Sequence, residues 1–463
     1  MKLKIGILSI VSVLIVFFSL DIGMFWDNVL FASKMGTAVY ENPFFSWHIP
    51  VEFDPGHPPF LATVMAIGWT LFGKSLAVSH WLMLPFIFGF LWQIHLFVSY
   101  FIKETWLQIF AFILVVADPT LLSQFVLVNP EIIQLFFFFL ALNAVLRNNI
   151  YLKILGLLFL GIVTYRGMML CFGIFLIELF ICLFINKGTL KSFFSRKMIT
   201  TYLLGAIPAL IFIGWRFFTF GWFQTHPDSP WVSLWHFVSI KEFLFNLVVL
   251  TQRYVDFGRI TILIVIIIGL FLKRKAINKE IGTLIIISIF SSIAIITVSI
   301  ISTNSMGHRY FIASYLSLAL LSFVIIQSFK FKKAIYVGLL SSLILGNFIV
   351  YSDDFSQGWD ASLAHLNYWG LRKHTLEYMD DKKIPISKTA SFFPNATAID
   401  NVDLNGDMRS FKNFTGEEEY VFYSNVFNVT DEELKLLDQK YYSIKTIKKN
   451  GVKIELKRRL KNK

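Results

Sequence analysis

Long apolar runs dominate the chain and restrict it more than any other feature. Residues 3–20, 59–76, 78–102, 105–125, 130–146, 151–165, 167–186, 199–219, 257–272, 281–301, 309–329 and 333–351 form such runs. Most approach the roughly 20 residues that cross a bilayer. Only helices close their backbone hydrogen bonds within one segment in lipid. A membrane β-barrel would instead show short segments of alternating polarity, and these runs do not alternate. With 51 Phe in 463 residues and 56% hydrophobic content, an ordinary soluble globule is excluded.

The charge pattern orients the runs. The net charge is +12, but most basic residues flank apolar segments, as orientation signals do, so no nucleic-acid partner is inferred. Lys187, Lys191, Arg196 and Lys197 form one cluster, Lys273-Arg274-Lys275 a second, and Lys330, Lys332 and Lys333 a third. All three are expected on the cytoplasmic side. Lys2 and Lys4 place the N-terminus on that side too. The bulky stretch 20–26 offers no small-residue cleavage site, so the first run reads as a retained span. Orientation then requires an odd number of spans, about 11 to 13, with one early segment partial or re-entrant. The short 59–76 run is the candidate. Cys171 and Cys182 both lie in apolar runs, so no disulfide framework is expected.

From Ser352 onward the chain turns polar. Residues 421–424 and 452–456 read as strands, and 431–437 as a helix capped by Thr430. The expected organisation is an all-α polytopic domain over 1–351 and a small α/β domain over 352–463, outside the membrane on the side opposite the basic loops.

The loop 21–58 carries the densest chemistry. Asp27 lies near its start, and Asp54-Pro55-Gly56-His57-Pro58-Pro59-Phe60 closes it. Proline fixes its own φ and restricts the preceding residue, so Asp54 and His57 sit in a stiff turn. A solvated interfacial loop with an aromatic belt is the plainer reading of these acids. Asp118 and Glu131 stand at Pro-marked helix starts, where a carboxylate can cap a helix or serve function. Arg166 interrupts an apolar run, and His308-Arg309-Tyr310 opens a late one at its outer end. Either arginine could snorkel to the interface. Two cations on the outer side run against the positive-inside tendency and suit an anionic headgroup. Residues 220–256, with Trp222, His226, Asp228, Trp231, Trp235 and His236, could line a groove or rest on the interface. Phosphate-loop, zinc-spacing and serine-elbow motifs are missing.

These motifs, in this order, resemble the C-type glycosyltransferase superfamily (GT-C), which includes the protein O-mannosyltransferases and the lipid A aminoarabinose transferases. The 54–60 stretch resembles their Asp-x-His-Pro-Pro-Phe/Leu element, with one additional residue between Asp and His. Asp27 stands where those families place an Asp-Glu pair, and Asn28 replaces the Glu. Tyr165-Arg166-Gly167 resembles the Lys-Gly element, and His308-Arg309-Tyr310 the Arg-Tyr element. The resemblance implies a membrane glycosyltransferase of a bacterial cytoplasmic membrane, with a polyprenyl-phosphate sugar as donor and an acceptor left open. In that scheme Asp27 is the general base and Arg166 and Arg309 meet the donor phosphate. Asp54, His57, Glu131, His308 and Tyr310 line the substrate site. No cofactor or metal is expected, although some members of the superfamily use a divalent ion. The competing reading is a glycolipid or polyisoprenoid flippase, but carriers place their ionisable groups near the midplane and repeat their halves, and this chain shows neither pattern.

Overall fold

The computed structural model describes all residues except 1, 43, 45, 223–235, 273–277, 304–305, 353–354, 356 and 461–463. Lys273-Arg274-Lys275 and the loop residues His226, Asp228, Trp231 and Trp235 therefore lie outside the described residues.

The membrane region is helical throughout. Among the described residues, six helices are long and apolar enough to cross a bilayer, including Lys2–Ser19, Leu76–Phe101, Arg196–Phe220 and His308–Ile326. The number rises to eight if each of two bent pairs is one span. Three shorter apolar helices, Phe60–Phe72, Pro130–Leu146 and Ile150–Val163, occupy positions of expected spans. At about 1.5 Å per residue the first of these is too short to cross alone, as anticipated for the 59–76 run. The Pro130–Leu146 helix is buried almost all round, with Phe138 and Phe139 at 0% exposure, so it forms the centre of the bundle. Glycine allows the closest approaches. Gly258 has φ +85, and a Cβ there would lie 2.1 Å from the Ser342 carbonyl oxygen.

One expected span is broken instead of straight. Residues 105–125 divide into Thr105–Val116 and Pro119–Phe125, which meet at 79°. The break falls at Asp118-Pro119, because Pro disfavours the helical region for the residue before it. Asp118 then caps the second helix by accepting from Thr120 N at 3.0 Å and Leu121 N at 3.1 Å. The expected 257–272 run is one helix, Ile260–Leu272, and it meets at 90° a preceding helix, Ile240–Val255, within the stretch read as a loop. That helix buries no residue and exposes Ile240, Leu244, Phe245 and Val248 along one side. Such an amphipathic element suits a position on the membrane surface.

The polar C-terminal region folds around a five-stranded mixed sheet of order β2-β1-β3-β5-β4. The strands are β1 (Thr389–Ser391), β2 (Lys412–Asn413), β3 (Tyr420–Ser424), β4 (Tyr441–Lys449) and β5 (Val452–Arg459). β3 and β5 fall where the sequence reading put strands. The Asp431–Lys440 helix carries the expected Thr430 cap as a full capping box with Glu433. Asn450 and Gly451, both at positive φ, turn β4 into β5, as the Asn-Gly hairpin signal requires.

This region is not a separate appendage. Ile22 and Phe25 of the outer loop belong to its core, and Phe25 stacks on the His365 ring at 5.1 Å. Met24 N donates to Val402 O at 2.8 Å, and Lys74 pairs with Asp400 at 2.8 Å. The outer loop is thereby held between the bundle and the sheet.

Candidate active site

Asp27 begins the helical part of the outer loop. Its carbonyl accepts from Leu30 N and Phe31 N, which starts a π-helical turn, Val29–Lys34, that runs on into Met35–Glu41. Trp26, immediately before it, has φ 51, a region that bulky residues rarely occupy. Strained backbone and π-turns both concentrate at functional sites. Here they turn the Asp27 side chain toward Arg309, with which it pairs.

Arg309 is the hub of the site. It pairs with Asp27 through one terminal nitrogen and with Asp360 through the other. Its Nε lies 3.0 Å from Glu131 Oε1. Arg309, Glu131 and Asp360 are nearly sealed from solvent at 4–7% side-chain exposure, whereas Asp27 is 26% exposed. The carboxylate of Asp27 is therefore the one that an incoming molecule can reach. Glu131 comes from the first turn of Pro130–Leu146, which begins at a Pro in the favoured N1 position. Its second oxygen is buried without a hydrogen bond among the described residues.

Arg166 is the second cation. Its guanidinium lies 3.8 Å over the Tyr310 ring and 3.6 Å from Glu131. Stacking on an aromatic face is a favourable arrangement for arginine, and it leaves most of the planar fork free to bind an anion. The sequence reading assigned both arginines to a phosphate. The geometry separates them: Arg309 is surrounded by three carboxylates, and Arg166 touches one at the edge of hydrogen-bonding range.

Asp54 and His57 belong to a neighbouring brace. Asp54 Oδ1 accepts from Gly56 N at 2.8 Å, and Oδ2 accepts from Arg216 Nη2 at 2.9 Å. His57 Nδ1 accepts from Tyr165 N at 3.2 Å, fixing the Pro-rich turn to the start of the helix that carries Arg166. Burial, then the Arg166 and Arg216 charges, push the His57 pKa down to about 3, so the ring stays neutral and its Nδ1 remains an acceptor. His308 sits beside the hub but faces away from it. Its Nε2 lies 2.8 Å from Asp256, which also pairs with the Tyr351 hydroxyl. Asp118 is likewise remote in role: it binds Arg259 through both oxygens, at 2.7 and 2.9 Å, as well as capping its helix.

Three charged residues, one in the site and two that brace its surroundings, escaped the sequence reading. Arg216 and Arg259 are buried charges in or beside apolar runs, a signal that marks such residues for attention. Asp360 carried no local signal. It reaches the site because Gln124 Nε2 donates to its carbonyl at 2.8 Å and Thr120 Oγ1 donates to Ala361 O at 2.9 Å. Asn28, where the second acid of the resembled pair would stand, is buried, and its amide makes no hydrogen bond among the described residues. No group of three or more His, Cys, Asp or Glu among the described residues is arranged to hold a metal ion.

No protein-family model and no curated protein matches the chain. Among solved structures it is similar to ArnT from Cupriavidus metallidurans bound to undecaprenyl phosphate, with a TM-score of 0.51 and 10% identity over 98% of both chains. The apo state of the same protein gives a TM-score of 0.48 and 11% identity over 98% of both chains. At this identity the likeness to the undecaprenyl-phosphate-bound structure concerns the fold alone, a polytopic helical bundle with a small C-terminal sheet region.

Proposed function

We propose that the chain is a membrane glycosyltransferase that moves a sugar from a polyprenyl-phosphate donor to an acceptor on the outer side of the membrane. The observation that carries this reading is the arrangement of Asp27: a reachable carboxylate, fixed by a buried arginine, within a fold shared with a protein solved with undecaprenyl phosphate.

Asp27 takes the proton from the acceptor hydroxyl or amine as that atom attacks the anomeric carbon. The bond between the anomeric carbon and the phosphate oxygen breaks, and its electron pair stays with the departing polyprenyl phosphate. No separate acid is required, because phosphate leaves as an anion; glycoside hydrolysis, by contrast, needs two carboxyl groups. Arg166 meets the charge that develops on the phosphate. Arg309 aligns Asp27 and holds Glu131 and Asp360 as a rigid wall behind it. The orientation with the N-terminus in the cytoplasm, and the bacterial cytoplasmic membrane as location, belong to the same proposal.

The test uses purified chain in lipid nanodiscs with an undecaprenyl-phosphate hexose. Release of undecaprenyl phosphate by the wild type, and its loss in Asp27→Asn with folding retained, support the reading. Turnover by Asp27→Asn, or movement of intact donor between leaflets without cleavage, refutes it.

A further inference from the structure

We propose that the cleft between the outer-loop helix and the C-terminal region is the acceptor site, and that it takes a saccharide bearing an acidic group. This rests on the transferase reading, which leaves the acceptor open.

The cleft has a volume of about 700 Å³, within the range of ordinary ligand sites. One wall is a single helix face made of Lys34, Thr37 and Glu41. Their spacing of three and four residues is that of one helical side. The facing wall comes from the C-terminal region and includes Thr397 and Asn401. Hydroxyl, amide, ammonium and carboxylate groups thus converge from two walls, as the many hydroxyls of a sugar require.

Two of these groups lack partners that a ligand would supply. Lys34 is half-buried and makes no ion pair among the described residues, and burial lowers its pKa. A partly desolvated ammonium without a counter-charge is costly, and an anionic substituent would offset that cost. The Thr37 hydroxyl oxygen is buried with no hydrogen bond among the described residues. The same helical stretch begins at Asp27, about 10 Å from Lys34 at the usual rise per residue. A saccharide of two or so units, anchored by its acidic group at Lys34, spans that separation and presents a hydroxyl to Asp27. On this account the C-terminal region selects the acceptor.

The test titrates nanodisc-held full chain with chitobiose 1-phosphate, with unphosphorylated chitobiose, and separately with undecaprenyl phosphate. The expected results are binding of the phosphorylated disaccharide and at least about tenfold weaker binding of the unphosphorylated one. Lys34→Met and, from the opposite wall, Asn401→Ala should each weaken the phosphorylated disaccharide by a similar factor. Lys34→Arg should retain it, and undecaprenyl phosphate binding should not change in any of the three. If the wild type binds undecaprenyl phosphate but not the disaccharide, or if the variants bind the disaccharide as the wild type does, the cleft is not the acceptor site and the donor reading stands. If the disaccharide binds through Lys34 and undecaprenyl phosphate does not bind, the cleft remains a saccharide site and the donor reading falls.

Discussion

Arg309 gathers three carboxylates from three distant parts of the chain, and this determines what single substitutions should do. Removing it as Arg309→Met leaves Glu131 and Asp360 buried without their shared cation. Breaking a buried pair costs about 3–5 kcal/mol, so the thermal unfolding midpoint in detergent should fall sharply. Asp360→Asn should lower transfer while keeping the fold, and Asp360→Glu should recover part of the loss; equal activity in all three forms would remove Asp360 from the site. His57 gives a pH prediction. Its folded pKa of about 3 lies below the ordinary value near 6.5. Between those values the unfolded chain binds more protons, so stability falls as pH drops from about 6.5 towards 3. His57→Gln should flatten that decline in unfolding midpoints measured from pH 7 down to pH 4, and an unchanged slope would contradict the assigned burial. Asp27, His57 and Arg309 were legible because proline and charge stand out in an apolar chain. Asp360 was not, because nothing near it in sequence distinguishes it from other solvated acids.

Among the elements, the instructive one is the helix broken at Asp118-Pro119. Continuous hydropathy over 105–125 reads as one span, since apolar periodicity does not register a turn made by one Asp-Pro step. The break places Pro119–Phe125 under the Trp359–Ala361 turn, which holds Asp360 in the site. It also lets Asp118 meet Arg259, at 3% side-chain exposure for both. Asp118→Ala should therefore cost more than a lost cap, about 3–5 kcal/mol, because Arg259 loses its buried counter-charge. The unfolding midpoint of Asp118→Ala against Thr430→Ala, where only a surface cap is lost at about 1 kcal/mol, checks this directly. The C-terminal elements were easier to read, since the Thr430 cap and the Asn450-Gly451 turn are local signals that need no tertiary context.

In the whole molecule, the bundle supplies Glu131, Arg166 and Arg309, the outer loop supplies Asp27, and the polar region after the last helix supplies Asp360 and one wall of the cleft. The division between an apolar bundle and a polar C-terminal region was visible in composition. Their joining through Ile22, Phe25 and Met24 was not, because apolar residues in an interfacial loop do not reveal which partner they pack against. In the proposed reaction, Asp27 faces the anomeric carbon of a polyprenyl-phosphate sugar. The most direct measurement is an electron cryomicroscopy structure of the Asp27→Asn chain in nanodiscs with an undecaprenyl-phosphate hexose bound. The donor phosphate is expected on Arg166, with space beside residue 27 for an acceptor atom about 3–3.5 Å from the anomeric carbon. A donor bound with its phosphate away from Arg166, or with its sugar out of reach of residue 27, would contradict it.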